Sequence, residues 1–342
     1  MNNRYAMLSL FYILNITIFC YSQPPAGIYE CQSMLEVREL FETIGREDRE
    51  AWYCFDYDNT VAEPNGMPKY DPENHYQIGS DQWFGSVLDY YKAHPQECHG
   101  RSPIVMTMAA NQIAQYSIHV RPVEDDMVDF IGELNAAGVP TLALTARSHP
   151  LRDITLQQMD DDLNVHFSLK TKKITSLIFE PEQTDFLPAM LINGVLFCSD
   201  NHKGKMLSCL IRECIANNVP CPRVIVGFDD KAHHLSNIQA MLQELNKELL
   251  AEQANVIRFL DDGTSPLPSA TIIQIKRKYK SLLNFKPITF VGIRYGKLDH
   301  KTSNYKQHAL GQKTLEILRL RCESPSILLI PACRPAVACV RG

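Results

Sequence analysis

The sequence predicts an α/β fold in which helices cover both faces of a parallel sheet and a cap is inserted after the first strand. Short apolar segments alternate with segments of helical periodicity from about residue 51 to residue 296, a pattern typical of a parallel sheet. The interval after the first strand is longer than the later ones and mixes proline, glycine and aromatic residues with one helical piece. We interpret residues 61–120 as the inserted cap.

The elements follow in order along the chain. Strands are predicted where short apolar runs end at a polar residue or a turn, at Trp52–Phe55, Pro140–Leu144, Val195–Cys198, Val224–Phe228 and Asn255–Leu260. Helices are predicted where apolar residues recur three or four positions apart, at Gln82–Ala93, Val123–Ala137, Lys203–Ala216 and Leu235–Ala251. In such a sheet, ligands bind beyond the carboxyl ends of the strands, so the polar residues there are candidate site residues.

The composition of the 342 residues is that of an ordinary globular protein, with 45% hydrophobic and 21% charged residues. It excludes a disordered chain, which would have fewer apolar residues. The 34 lysines and arginines against 39 acids give a net charge of −5. Such a chain has no general electrostatic attraction to nucleic acid, so no nucleic acid polymer is expected as a partner.

The N-terminus predicts export. Residues 1–22 are interpreted as a signal peptide because Arg4 precedes the apolar run Ala6–Cys20, small residues precede Gln23, and two prolines follow. A retained anchor is the alternative, although a membrane span needs roughly 20 apolar residues. After cleavage we expect no integral membrane domain, and a periplasmic, secreted or outer-membrane-associated location.

The rest of the chain divides into three predicted parts. Residues 23–50 are interpreted as a helical lead-in, residues 51–300 as the main domain, and residues 301–342 as a C-terminal tail whose order the sequence leaves open. Of the 11 cysteines, the ten after the predicted signal peptide permit disulfides in an oxidising compartment, with the pairings open. Cys54 and Cys198 lie in apolar runs and are predicted to be buried free thiols.

The strongest site signal is Asp56-Tyr57-Asp58-Asn59-Thr60, directly after the first strand. Two carboxylates two positions apart can hold a cation together, or one can attack while the other transfers protons. A solvated acidic loop is the alternative. An EF-hand is excluded because Val61 replaces the loop glycine and Met67 replaces the final acid.

Three further strand ends carry candidate residues. Thr145 ends a strand, and its hydroxyl suits either a phosphate oxygen or a helix N-cap. Lys203 begins a helix in a Lys-Gly pair and could neutralise phosphate charge or be a surface lysine; Lys205 is a second candidate for this role. Asp229 and Asp230 are adjacent acids that form a solvated turn or need a cation or helix N-terminus nearby.

The order of these signals, strand–DxDxT, strand–Thr, Lys-Gly and strand–Asp-Asp, resembles the four motifs of the haloacid dehalogenase (HAD) superfamily of hydrolases. The resemblance extends over about residues 51–296 and implies a HAD-like Rossmannoid sheet. Three segments also resemble an exported bacterial HAD-like family sometimes labelled as outer-membrane proteins. They are Ser80–Trp83, Arg121–Arg147 and Phe228–Asn237.

The resemblance implies a phosphatase that acts on a small phosphomonoester. Asp56 would be the nucleophile and form an aspartyl-phosphate. Asp58 would protonate the leaving oxygen and then activate water. Thr145 and Lys203 would bind the transferred phosphoryl group. The oligomeric state is left open.

The resemblance also implies Mg²⁺ as the cofactor. The ion would be bound by the carboxylate of Asp56, the backbone carbonyl of Asp58, and Asp229, with Asp230 a direct or water-mediated partner. The physical need is that a carboxylate and a phosphate repel each other, so Mg²⁺ and Lys203 must offset that repulsion.

Other functions compete with this interpretation. One is a non-enzymatic exported binding or surface-interaction protein on a HAD scaffold, and another is a phosphotransferase. A dinucleotide-binding fold is disfavoured because no G-x-G-x-x-G follows the first strand. Arg147 could bind phosphate or pair with an acid. No role is assigned to the flanking histidines His149, His202, His233 and His234. Packing is favoured over substrate contact for the aromatic residues Trp83, Phe84, Tyr90 and Tyr91.

Overall fold

The computed structural model describes residues 25–44, 50–66, 77–169, 176–181, 187–261 and 268–299. The predicted signal peptide and the predicted tail from residue 301 lie outside these residues. The described chain forms two compact units. Of the described residues, unit 1 contains those within 25–60, 124–149 and 166–297, and unit 2 contains those within 61–123 and 150–165 together with residues 298–299.

The described strands are β1 Gly27–Cys31, β2 Ala51–Phe55, β3 Ala62–Pro64, β4 Val120–Pro122, β5 Thr141–Thr145, β6 Ser176–Phe179, β7 Ala189–Ile192, β8 Val195–Phe197, β9 Val224–Asp229 and β10 Thr289–Tyr295. The described α-helices are α1 Met34–Ile44, α2 Asp81–Ala93, α3 Pro103–Gln115, α4 Asp125–Ala136, α5 Arg152–Gln157, α6 Lys203–Ala216, α7 Ala232–Asp261, α8 Ser269–Lys278 and α9 Lys280–Leu283.

Unit 1 is built on an eight-stranded sheet with the order β1-β10-β9-β2-β5-β8-β7-β6. The strands from β1 to β8 in this order are parallel to their neighbours, and β7 and β6 continue the sheet in antiparallel pairs. The α/β fold with a mostly parallel sheet is therefore confirmed. The chain runs outward through β2, β5 and β8 and later continues through β9 and β10 on the other side of β2. This reversal places a topological switch point at β2 and β9, where ligands of open α/β sheets bind.

Helices cover both faces of this sheet. All five residues of β2 are buried, as a central parallel strand requires. Trp52 and Cys54 face a core that includes apolar residues of α6 and α7. Tyr53 and Phe55 face the opposite side, where their rings lie 6.0 Å and 6.5 Å from the ring of Phe130 on α4.

Two sequence predictions about unit 1 are wrong. The segment Asn255–Leu260 is the end of α7 and not a strand. Its Ile257 and Phe259 are exposed, so its apolar residues do not mark a buried strand, and extending an existing helix orders only one more residue per hydrogen bond. The strand beside β9 is instead β10. The lead-in is not entirely helical either, because β1 pairs with β10 before α1 begins.

The antiparallel strands β6 and β7 were not predicted, although the sequence carries a signal for one turn. Asn193 and Gly194 join β7 to β8 with φ angles of 50° and 77°, and Asn-Gly between apolar residues is typical of a tight hairpin. A Cβ atom on Gly194 would lie 2.3 Å from the carbonyl oxygen of Phe167, so only glycine fits this position.

Unit 2 contains the segment predicted as an insertion after the first strand. Within it, β3 pairs with β4, and α2 packs on α3. Hydroxyl caps begin both helices, since Ser80 accepts a hydrogen bond from the N–H of Trp83 and Ser102 accepts one from Val105. The core of the unit includes Trp83 and Tyr91, and Phe84 and Tyr90 pack against it, as expected for packing residues.

Cys54 and Cys198 are buried thiols and neither forms a disulfide, which confirms that prediction. Burial raises the pKa of the Cys54 thiol to about 12, so it is inert at neutral pH. None of the seven cysteines within the described ranges forms a disulfide. Among the helices of those ranges, none is both long and apolar enough to cross a membrane.

Candidate functional site

Asp56 lies at the carboxyl end of β2, at the switch point of the sheet. Its N–H donates to the carbonyl of Phe228 at 2.8 Å, which fixes the end of β2 against β9. Its Oδ1 accepts a hydrogen bond from the N–H of Tyr57, also at 2.8 Å. The side chain is only 7% exposed, so its charge depends on protein partners and not on water.

Lys203 joins Asp56 to Asp229. Its Nζ lies 2.9 Å from Oδ1 of Asp56 and 2.7 Å from Oδ2 of Asp229, and all three side chains are buried. Lys205 is exposed. The structure therefore places Lys203, the preferred candidate of the two, at the strand ends.

The backbone before Lys203 is shaped to bring it there. Ser199 and Asp200 both adopt left-handed φ angles, 53° and 62°, and their N–H groups donate to the carbonyls of Arg147 and Ala146, each at 3.1 Å. Two consecutive non-glycine residues with positive φ are uncommon, and such strain concentrates at functional sites. The turn ends at His202, whose Nδ1 caps α6 by accepting from the N–H of Lys205.

The glycine of the Lys-Gly pair has a packing reason. A Cβ atom on Gly204 would lie 2.9 Å from Cα of Ile238 and 3.0 Å from the carbonyl oxygen of Asn237. Both atoms belong to the backbone of α7, which cannot move aside like the end of a flexible side chain. Gly204 therefore lets α6 approach α7 closely, and this approach sets the position of Lys203.

Asp229 ends β9 and binds three groups. Besides Lys203, its Oδ1 accepts from the N–H of Lys231 at 2.9 Å, and its two oxygens lie 3.1 Å and 3.2 Å from Nδ1 of His234. One ligand atom from each of Asp56, Asp229 and His234 lies within 4.8 Å of the others. We call Asp56, Lys203, Asp229 and His234 the switch-point cluster.

The two carboxylates of this cluster have opposite pKa shifts. Burial raises the pKa of Asp56 well above its usual value, and the charges of Asp229 and Asp230 add to the rise while Lys203 opposes it. The pKa of Asp229 lies below its usual value because Lys203 and His234 more than offset its burial. Lys203 holds its proton tightly, since the pKa rise from the two carboxylates outweighs the lowering by burial.

A divalent cation fits this charge distribution. Two buried carboxylates share one ammonium, so a further positive charge would favour the charged form of Asp56. Carboxylate oxygens suit Mg²⁺, whereas the imidazole of His234 also suits transition-metal ions. These donors could therefore hold a metal ion, and by themselves they do not select Mg²⁺.

The side chain of Asp58 is bound by Arg147. Nε of Arg147 lies 2.9 Å from Oδ2 of Asp58, and Nη2 lies 2.8 Å from Oδ1. The Arg147 side chain is 5% exposed, and its guanidinium carbon lies 4.6 Å from the centre of the Tyr57 ring. Of the two roles open to Arg147, the structure contains the pairing with an acid.

The remaining predicted residues lie next to the cluster. Thr145 is the fully buried last residue of β5, and its Oγ1 accepts a hydrogen bond from the N–H of Arg147 at 3.1 Å. Its O–H can still donate to a ligand. Asp230 follows Asp229, and its carbonyl accepts from Nε of Arg294 at 3.1 Å. The charge of Asp230 reaches the cluster, since it contributes to the raised pKa of Asp56.

A cavity of about 240 Å³ adjoins the cluster in unit 1. We call it the histidine-lined cavity, and it is lined by Ala146, Asp200, Asn201, His202, Lys203, His233, His234 and Asn237. The pKa of His233 is lowered, first by its burial and then by the charges of His234, Lys231 and Lys203, while Asp229 opposes.

Sequence reasoning missed two side-chain contacts of the candidate site. It gave His234 no role, and it did not pair Arg147 with Asp58. His234 follows Asp229 by five positions at the start of a helix, which was the available signal, but histidines near strand ends are common. The pairing of Arg147 with Asp58 depends on side chains from two different strand ends, so no local pattern identifies it.

A family model described as "Protein of unknown function (DUF2608)" matches residues 33–251. The chain belongs to the DUF2608 family. The match includes β2, β5, β8 and β9 with every residue of the switch-point cluster, and it ends within α7. Comparison with curated proteins finds no match, and comparison with solved structures finds none.

Proposed function

We propose that this DUF2608 protein is an exported Mg²⁺-dependent phosphatase of the HAD type. It would hydrolyse a small phosphomonoester through an aspartyl-phosphate on Asp56. The observation that carries the proposal is the switch-point cluster, in which buried Asp56 and Asp229 share the ammonium of Lys203. This chemistry needs three parts: a nucleophile, a cation site and a lysine that neutralises phosphate charge. Asp56 would supply the first, Asp56 and Asp229 the second, and Lys203 the third.

The position of the cluster supports an active site. Asp56 and Asp229 follow neighbouring strands at the point where the strand order reverses, which is where open α/β sheets bind ligands. Burial of both carboxylates without such a role would be costly, because charged groups in a low-dielectric interior lose their hydration. Buried charged groups of this kind are common at functional sites, despite their energetic cost.

The proposed reaction has two steps. An Oδ atom of Asp56 attacks phosphorus, and the bond from phosphorus to the leaving oxygen breaks while Asp58 gives that oxygen a proton. Asp58 then takes a proton from a water molecule, whose oxygen attacks phosphorus and releases phosphate from Asp56. Lys203 and the hydroxyl of Thr145 would hold the phosphoryl oxygens throughout.

The bound Mg²⁺ would neutralise charge between the phosphoryl group and the carboxylates. Asp56, Asp229 and the carbonyl of Asp58 would hold it, with Asp230 a direct or water-mediated partner. His234 hydrogen-bonds Asp229 and would orient that carboxylate, as groups behind metal ligands commonly do.

Arg147 adds a step of its own. Both oxygens of Asp58 are bonded to Arg147, so one must be released before Asp58 handles a proton. We infer that the phosphate of the substrate draws Arg147 away, since a guanidinium binds phosphate and carboxylate by the same two-pronged geometry.

Unit 2 would select the substrate as a cap. Its first segment begins at residue 61, directly after the acidic loop, and the unit has its own core around Trp83. An insertion at this point in the chain can change without altering the sheet that holds the cluster.

The test is hydrolysis of p-nitrophenyl phosphate by the chain lacking residues 1–22, with Mg²⁺, with EDTA, and for Asp56→Asn. We expect activity that needs both the metal and Asp56. Asp58→Asn should lower kcat/KM much more for alkyl phosphates than for p-nitrophenyl phosphate, because nitrophenolate leaves without a proton. It should lower kcat for both, because Asp58 also activates the water of the second step. Activity that persists in EDTA or in Asp56→Asn would contradict the proposal.

One observation favours a non-enzymatic binding protein instead. The carboxylate of Asp58 and the guanidinium of Arg147 form an ion pair, as expected in a scaffold that needs no proton transfer. A folded chain that hydrolyses none of these esters and binds no Mg²⁺ would support that alternative, whereas one that binds Mg²⁺ without hydrolysis would point to a selective cap. Export is tested separately, by sequencing the N-terminus of the protein recovered outside the cytoplasm, which we expect to begin at Gln23.

A further inference from the structure

The histidine-lined cavity is rich in groups that bind anions. Lys203 and the imidazoles of His202, His233 and His234 line it, together with the amide of Asn237. Nδ1 of His202 accepts a hydrogen bond from the N–H of Lys205, so the neutral ring carries its proton on Nε2, where it is a donor.

The backbone around the cavity also favours the binding of an anion. Lys203 begins α6, and His233 and His234 lie in the first turn of α7. Two helix N-termini therefore meet at this cavity, and each adds a partial positive charge. The acid that lines it, Asp200, is exposed, and water and salt screen its carboxylate.

The size of the cavity limits its occupant. Its volume of about 240 Å³ is smaller than the roughly 300–1,000 Å³ of pockets that enclose a drug-sized ligand. One phosphate or carboxylate group fits such a space better than a nucleobase or a larger apolar ring.

Two residues belong to both the cavity and the switch-point cluster. Lys203 bonds Asp56 and Asp229, and His234 bonds Asp229. The cavity itself is lined by neither Asp56 nor Asp58, so it is beside the proposed reaction centre and not identical with it.

We propose that the histidine-lined cavity binds a second anionic group of the substrate, so that the preferred substrates are small phosphomonoesters bearing a second phosphate or a carboxylate. This inference rests on the proposed phosphatase function. It narrows the substrate class from phosphomonoesters in general to small molecules with two anionic ends.

The test compares matched pairs of substrates with the full-length chain. Propane-1,3-diol bisphosphate is paired with propane-1,3-diol monophosphate, and phosphoglycolate with ethyl phosphate. Charge-assisted hydrogen bonds to the second anion should raise kcat/KM about tenfold or more in each pair. A ratio near one in both pairs overturns the inference and leaves the phosphatase proposal intact.

Variants of His233 test whether the second anion binds in the histidine-lined cavity. His233→Glu places a negative charge in the cavity and should reduce the ratio to near one, and His233→Gln should give an intermediate ratio. Lys205→Gln is the matched control, because it removes a charge from the exposed side of the same region and should keep the ratio. If the ratio survives in His233→Glu, the second anion binds elsewhere and the inference is wrong.

A binding measurement separates the two proposals. Calorimetry measures the binding of propane-1,3-diol bisphosphate to two proteins, the Asp56→Asn variant and the double variant that also carries His233→Glu. If no ester is hydrolysed by the unaltered chain, the phosphatase proposal fails, and binding that His233→Glu weakens about tenfold or more still supports an anion site in the cavity. Equal binding by the two proteins, or none, overturns the anion site as well.

Discussion

The ammonium of Lys203 lies 2.9 Å from Oδ1 of Asp56, and both side chains are buried. The two residues come from different elements, the start of α6 and the end of β2. Their contact depends on the parallel pairing of the strands and on the close approach of α6 to α7 at Gly204. The predictions below follow from this contact and its neighbours.

Removing the lysine should cost stability. In Lys203→Met the buried carboxylates of Asp56 and Asp229 lose their ammonium, and breaking a buried ion pair costs about 3–5 kcal/mol of unfolding free energy. Saturating Mg²⁺ should restore part of the loss. The exposed Lys205→Met is the control and should stay within about 0.5 kcal/mol. Urea denaturation measures both, and equal effects would show that Lys203 has no special partner.

The opposite pKa shifts of Asp56 and Asp229 predict two pH windows. The folded pKa of Asp56 is raised, so metal-free stability falls as pH rises from its ordinary value of 3.8 through the folded pKa. The folded pKa of Asp229 is lowered, so its contribution is present above 3.8 and is lost as pH falls through the folded pKa. Asp56→Asn should remove the first dependence and Asp229→Asn the second, as measured by denaturation in EDTA across pH 2–8.

Cation binding should stabilise the protein through Asp229. At a concentration of 100 times Kd, Mg²⁺ should add about 2.7 kcal/mol to the unfolding free energy. Asp229→Asn should abolish this gain, whereas Asp89→Asn, an exposed acid on α2, should keep it.

The same titration tests the role of His234. If the imidazole is a ligand, His234→Gln should lower the affinity for Mn²⁺ far more than the affinity for Mg²⁺, because imidazole suits transition metals. If the imidazole only orients Asp229, the affinities for the two ions should fall by similar factors. Thermal denaturation with each metal separates the two results.

Asp58 and Arg147 should be energetically coupled. Asp58→Asn leaves the buried guanidinium without its counter-charge and should cost about 2 kcal/mol, because the Asp58 side chain is 30% exposed and the pair is partly screened. Arg147→Met made in addition should cost less than the sum of the single changes. A double-mutant cycle measures the coupling, and additive effects would mean that the pair contributes nothing to stability.

Gly204 should be intolerant of a methyl group. Gly204→Ala drives a Cβ atom into the backbone of α7 and should destabilise the protein by about 1–3 kcal/mol. Gly132→Ala is the matched control in α4, where a Cβ atom meets nothing within 4 Å, and it should stabilise by about 0.5–1 kcal/mol. The same sign for both changes would contradict the packing explanation.

Much of the fold could be predicted from residue patterns. Strands β2, β5, β8 and β9 are apolar runs that end at polar residues, because a strand buried on both faces needs continuous apolar side chains. Helix α6 was predicted with its observed bounds, Lys203–Ala216. The pattern failed at Asn255–Leu260, where exposed apolar residues extend a helix and do not form a strand.

The sequence by itself determined which residues end the central strands, and so which side chains are available at the carboxyl edge of the sheet: Asp56, Thr145 and Asp229, with Lys203 at the start of a helix. The tertiary structure decided their partners. It places Lys203 between two carboxylates, His234 against Asp229, and Arg147 against Asp58. These pairings join elements far apart in the chain, and only the strand order and helix packing bring such groups within the few ångströms over which ion pairs and hydrogen bonds form.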